Sequence, residues 1–227
     1  MREVLEVNPA VLERYFRARE RELEPRVSPP YVVRMDGVGF GRALADLPGP
    51  RDRRVHTALV EAAARLVRTY GACGAFVVSD EVSVFFDTSN PYGGRVEKLS
   101  SILASMLASL VSLSLGRALY FDGRVVPLRD YDDALMYLYL RARIGLNNFV
   151  GRWLRMLGID PGDAGLGDRI AMLREAGIDV EAQPRWATLG TSILWARGPG
   201  VGRTMVTGDG YEALSSYFLE RARGGGG

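Results

Sequence analysis

The sequence predicts an α+β fold built on an antiparallel sheet, with elements in the order β–α–β–β–α–β and a helical and β lobe appended after them. Three observations carry this. The β-branched run Tyr31-Val32-Val33-Arg34-Met35 ends in Asp36-Gly37, as a strand meeting a turn does. Two apolar runs, 75–78 and 82–86, flank Ser79-Asp80-Glu81 with too few residues between them for anything but a hairpin. Two long stretches with helical spacing, 52–70 and 95–116, separate these strands from each other and from a strand at 118–126.

The elements follow in order. Residues 9–26 read as a helix with Val11, Tyr15 and Phe16 among charges, Asn8-Pro9 serving as cap and first turn. Ser28-Pro29-Pro30 stops it and sets up the first strand. Leu47-Pro48-Gly49-Pro50 is a loop. The helix at 52–70 aligns Val55, Leu59, Ala62, Ala63, Leu66 and Val67 on one face, and Gly71 ends it. His56, within it, reads as a packing residue. The second long helix carries Leu99, Leu103, Leu107 and Val111, with Arg95 and Lys98 sharing a face of its first turn. Cations there oppose the helix dipole, a conflict that an anion held by the pair would resolve. Asp122-Gly123 then leads from one short strand to Arg124-Val125-Val126. The order is ferredoxin-like. Beyond it, 137–157 reads as one helix, 167–177 as a short one, and 185–206 as a strand pair around Gly198-Pro199-Gly200. The expected organisation is a palm-like unit at 1–135, a lobe at 136–223 packed on it, and a flexible tail at 224–227.

Composition narrows the function. With 227 residues, 47% hydrophobic and 25% charged, the chain is ordinary for a globular protein. No uncharged apolar run spans a bilayer and the amino terminus lacks a secretory core, so no membrane partner is expected. One cysteine, Cys73, excludes an internal disulfide and fits a reducing cytoplasm. One cysteine and one histidine leave no structural zinc site, so a bound metal would need oxygen ligands, which points to magnesium. Of 29 basic residues only Lys98 is lysine, and arginine suits bidentate phosphate contacts.

Asp36 and Asp80 therefore arrive at neighbouring strand ends, where paired carboxylates can hold divalent metals and metals can hold a triphosphate. Taken singly, Asp-Gly after a strand and Asp-Glu at a hairpin tip are also ordinary turns. Gly37, Gly39 and Gly41 around Phe40 would let backbone N–H groups approach phosphate oxygens, but the Gly-Lys-Ser/Thr element of a P-loop is missing.

Five short blocks, in order and in register, give these residues a likeness. Arg34-Met35-Asp36-Gly37-x-x-Phe40, Ser79-Asp80-Glu81, Arg95-x-x-Lys98, Phe121-Asp122-Gly123-Arg124-Val125 and Leu146-Asn147-Asn148 resemble blocks of the tRNA-histidine guanylyltransferases and the related 3′-to-5′ nucleotide-adding polymerases. The likeness runs over about 11–195. It implies that Asp36 and Asp80, with the Gly37 carbonyl, hold two Mg2+ ions, and that Glu81 supports them. It implies that backbone N–H groups of Gly37, Val38, Gly39 and Phe40, with Ser79, cradle the triphosphate of an incoming nucleotide. Arg34, Arg95 and Lys98 would hold a second triphosphate. ATP and GTP are the implied substrates, tRNA-histidine or 5′-truncated tRNAs the implied RNA, and a homotetramer the implied assembly. Asn147 and Asn148 would belong to the activation site. Arg141, Arg143, Arg152 and Arg155 are candidate RNA contacts, and equally a solvated helix face.

Two departures colour this. Gly145 stands where the guanylyltransferases carry the histidine of His-Ile-Asn-Asn, which makes the chain resemble the guanylyltransferase-like branch that adds nucleotides opposite a template and repairs 5′ ends. Gly49-Pro50-Arg51-Asp52 stands where Lys-Pro-Asn-Asp is frequent, and Arg51, Arg53 or Arg54 is the expected substitute cation. A nucleotide cyclase and a non-catalytic RNA-binding module remain the other readings of this strand order.

Overall fold

The computed structural model describes residues 6, 8–197 and 203–224. Helix α1 (Pro9–Glu22) precedes β1 (Tyr31–Val38), the short α2 (Phe40–Ala43) and α3 (Arg53–Tyr70). The hairpin of β2 (Gly74–Val78) and β3 (Glu81–Phe86) leads to α4 (Val96–Leu115) and β4 (Tyr120–Pro127). Then come α5 (Tyr131–Met156), α6 (Leu166–Glu175), α7 (Arg185–Leu189), β5 (Thr191–Arg197), β6 (Arg203–Asp209) and α8 (Glu212–Gly224). Among the described residues the strands form one sheet in the order β4-β1-β3-β2-β5-β6, each neighbour antiparallel. The fold is the mixed helix and antiparallel palm-type sheet that the sequence predicts. β5 pairs with β2, so residues on both sides of 135/136 share this sheet.

Alternation along β1 sorts its side chains between two cores. Val33 and Met35 pack with Leu59, Leu66, Leu103 and Leu107 of α3 and α4. Val32 faces the other way, with Phe85, toward Leu138 and Ala142 of α5 and Phe218 of α8. A period of two puts Arg34 and Asp36 on the face of Val32, under α5. A third cluster joins Phe149 and Leu154 of α5 to Leu173 of α6 and Trp186 of α7. Contrary to the expectation that no apolar run is long enough to span a bilayer, helix α4 is long and apolar enough in composition to do so; its Leu99, Leu103, Leu107 and Val111 face lies in the first core.

The structure moves several boundaries. Helix α1 stops at Glu22 instead of residue 26, ahead of Pro25, which cannot continue it. Helix α5 begins at Tyr131, six residues before the expected start, because the Asp130 side chain accepts the Asp133 N–H at 2.8 Å and caps it. Asp122-Gly123 is not a turn: β4 runs straight through it. A Cβ at Gly123 would meet the Ser100 carbonyl oxygen at 2.3 Å, so glycine is there to let α4 lie on the strand. Likewise β1 continues past Asp36-Gly37 to Val38. The glycine loop at 198–200 and the tail at 225–227 lie outside the described residues.

Candidate active site

Register builds the acidic centre. Asp36 on β1 lies opposite Glu81 on β3 and opposite Asp122 on β4. The two-residue turn Ser79-Asp80 brings Asp80 alongside, and the Gly37 N–H donates to the Asp80 carbonyl at 3.1 Å. Burial, then Asp80, push the Asp36 carboxyl above the usual carboxylate range; Asp122 adds to this, while Arg34 and Arg141 oppose it. One Asp122 oxygen, Oδ1, is buried with no hydrogen-bond partner, whereas Oδ2 accepts from Arg124 at 2.8 Å.

Glu81 is 3% exposed and is not a solvated hairpin tip. Arg141 of α5 grips it through two parallel donors, Nε to Oε1 at 2.7 Å and Nη2 to Oε2. Ser83 donates to Oε1 at 3.2 Å, and Arg34 Nε stands 3.7 Å from Oε2. Desolvation raises the Glu81 carboxyl and Arg141 counters it. Arg141 is thus committed inside the protein and is not the free RNA contact expected of it.

The hairpin turn carries local strain. Ser79 sits at φ 62°, a left-handed position that glycine takes at no steric cost. Ser79→Gly should raise stability by about 0.5–1 kcal/mol in denaturant melts while loosening the Asp80 carboxylate. Gly37 has a different reason: a Cβ there would meet the Phe40 ring at 2.4 Å. Its N–H is committed to Asp80, so it is not one of the phosphate donors expected at 37–40. At the start of α2 the Arg42 and Ala43 N–H groups donate to the Gly39 carbonyl at 3.0 Å, which leaves the Phe40 and Gly41 N–H groups as candidate phosphate donors.

A cavity of about 340 Å³ opens beside this centre. Its lining includes Phe40, Ser79 and Asp80, Asn148 and Arg152 of α5, and Arg51, His56 and Trp186. Asn147 is turned to α6, where Arg169 donates to it at 3.0 Å. Arg51, half-buried, donates to the Gly145 carbonyl at 3.1 Å. Burial lowers its pKa to about 10, and Asp80 works against that fall. Arg54 is bound up with Asp52 at 2.8 Å and Arg53 lies over the Trp186 ring, so of these three Arg51 is the one that lines the cavity, with Arg152 and Arg155 of α5.

Arg95, Lys98 and Arg143 are among the expected site residues that stand outside this lining. Arg95 donates to the Tyr92 carbonyl at 3.1 Å and pairs with Glu24 at 3.6 Å, which is how a cation at the start of α4 is tolerated. Lys98 and Arg143 are exposed and do not line the cavity. Gly145 explains its own departure: a Cβ would meet Val78 Cγ2 at 2.1 Å, so α5 rests on β2 with no room for a histidine. Gly145→Ala should therefore cost about 1–3 kcal/mol in a denaturant melt.

Among the described residues no group of three or more His, Cys, Asp or Glu side chains stands ready for a metal. Two carboxylates near enough for their charges to repel, an orphaned carboxylate oxygen on the next strand and the backbone oxygens of β1 do suit a hard cation. Magnesium commonly takes one or two protein carboxylates and fills its sphere with water and phosphate oxygens, so the residues fit.

A palm-type antiparallel sheet with an acidic pair beside a nucleoside-sized cavity defines a nucleotide-transferring enzyme. The family model described as tRNAHis guanylyltransferase (Thg1) matches residues 13–129, over half of the chain, and the chain belongs to that family. It is a tRNA guanylyltransferase-like nucleotidyltransferase. No curated protein sequence matches it. Among solved structures it is similar to a bacterial tRNA(His) guanylyltransferase (Thg1)-like protein in complex with ATP, at 19% identity and TM-score 0.78, covering 95% of this chain and 98% of that one. The GTP complex of a bacterial Thg1-like protein gives 18%, 0.70, 92% and 95%. The Saccharomyces cerevisiae tRNA(His) guanylyltransferase gives 21%, 0.66, 82% and 93%.

Proposed function

We propose that this enzyme adds guanosine or other nucleotides to the 5′ end of tRNA, including 5′-truncated tRNAs, after activating that end with ATP. The observation that carries it is the Asp36–Asp80 pair set beside the cavity, with the Asp122 oxygen left over. Asp36 and Asp80, with the Gly37 carbonyl, would hold two magnesium ions, which would supply charge neutralisation of the triphosphate and a more acidic attacking 3′-hydroxyl.

The chain's own residues position the reactants. The cavity takes the nucleoside, and its phosphates point toward Ser79 and the first turn of α2. Arg51, which stays protonated at neutral pH, supplies the positive charge that Lys-Pro-Asn-Asp members take from lysine. Arg152 gives a second cation on the α5 side. Arg34 lies between the two carboxylates, 3.7 Å from Asp36 and 3.7 Å from Glu81. As in other phosphoryl transfers, positioning and charge neutralisation carry most of the rate. Lys98, exposed, is free to meet the 5′ triphosphate or RNA backbone. Helix α1, with Val11, Tyr15 and Phe16 exposed and no residue buried, supports a homotetramer, and Cys73 supports a cytoplasmic setting.

An assay with 5′-labelled, 5′-truncated tRNA, ATP, GTP and Mg2+ tests this. Extension by one or more nucleotides is the expected result. Cyclic nucleotide formation without extension would replace the reading with a cyclase, and binding of RNA with no turnover would replace it with a binding module.

A further inference from the structure

His56 is the one histidine of the chain, and the tRNA-adding reaction gives it no role. It is 8% exposed, on α3, and lines the cavity beside Trp186, whose ring centroid is 4.9 Å from its own. Its Nε2 stands 2.8 Å from Thr191 Oγ1. Thr191 has one hydroxyl proton, and that proton goes to Asp209 Oδ1 at 3.3 Å, an acceptor-only carboxylate. With that proton on Asp209, the Thr191 oxygen is left to accept from Nε2–H, the tautomer in which Nδ1 carries a lone pair and no proton. Among the described residues the ring's hydrogen bond is at Nε2, which leaves Nδ1 as the nitrogen available to a ligand.

We propose that His56 is a specificity-determining residue: locked by Thr191 and Asp209, it offers a bare Nδ1 acceptor to an amino group on the base of the bound nucleoside triphosphate, the 2-amino group of guanine when GTP is bound. The inference rests on the nucleotide reading of the cavity. Burial first, then Arg51 and Arg53, lower the ring's pKa to about 4, which keeps it a neutral acceptor at physiological pH. A base without that amino group leaves a buried acceptor unpaired, which costs about a factor of ten in affinity.

Calorimetric titration with GTP and with inosine triphosphate, which differs from GTP only by that amino group, reads this directly. The wild-type protein should bind inosine triphosphate about tenfold more weakly. His56→Leu should bring the two affinities together. Thr191→Val keeps the ring and the side-chain volume but frees the tautomer, and should shrink the ratio even if His56→Leu does not fold. Equal wild-type affinities, or a ratio unchanged in both variants, would overturn the role of His56 alone. A wild-type protein that binds neither nucleotide would overturn the nucleotide reading of the cavity as well.

Discussion

Asp36→Ala and Asp80→Ala should each lower kcat for nucleotide addition by about 10²–10³-fold or more, while leaving the fold in place. The acidic pair is costly to keep. Burial and the Asp80 charge raise the Asp36 pKa, so ionising Asp36 is harder in the folded protein than in the unfolded chain. The sign follows from linkage. Its ionisation destabilises the fold above the raised folded-state pKa, and that effect vanishes as pH falls below 3.8, the ordinary value for an aspartate. Asp36→Asn should therefore be more stable than wild type at neutral pH without magnesium, and the gain should fade by about pH 3. The Asp36 side chain is 43% exposed, so solvent screening keeps the gain small. Magnesium should narrow it further by stabilising the wild-type protein alone. Matching thermal melts at the two pH values, with and without Mg2+, check the whole pattern. A gain in stability together with a loss of turnover marks a residue kept for chemistry.

Arg141→Met should be the most destabilising single change, by about 3–5 kcal/mol. It removes both donors that neutralise Glu81 and leaves a carboxylate with 4% side-chain exposure beside only Ser83 and the more distant Arg34. The double change Arg141→Met with Glu81→Gln should recover part of the loss, since the buried charge goes with its partner. Urea denaturation of the two single variants and the double variant gives the coupling directly. A wild-type-like midpoint for Arg141→Met would mean that Glu81 finds another cation.

How much of this was open to sequence reading depends on the separation of the partners. The strand order was legible because alternation and helix periodicity are local. Asp36 and Asp80 were legible because each ends an apolar run that could only be central. Glu81 was placed near them, but its partner Arg141 lies 60 residues on, on a helix where charge suggests solvent. Only the packing of α5 on the sheet pairs them. Asp122 was hidden by its glycine, since Asp-Gly is a turn signal and here the glycine serves the approach of α4. The strand order itself could have exposed it, because a fourth strand beside β1 must set some residue opposite Asp36. His56 read as packing because neither Thr191 nor Asp209 is near it in the chain. The start of α5 was missed because the Asp130 cap lies before the apolar pattern begins.

The central claim is that Asp36 and Asp80 act together on one set of bound cations. Mn2+, which substitutes for magnesium and is visible by electron paramagnetic resonance, can be titrated into the GTP-loaded protein. The account predicts tight Mn2+ binding in the wild type, lost in Asp36→Asn and equally in Asp80→Asn, with the GTP site still filled. Undiminished Mn2+ binding in either variant would contradict it.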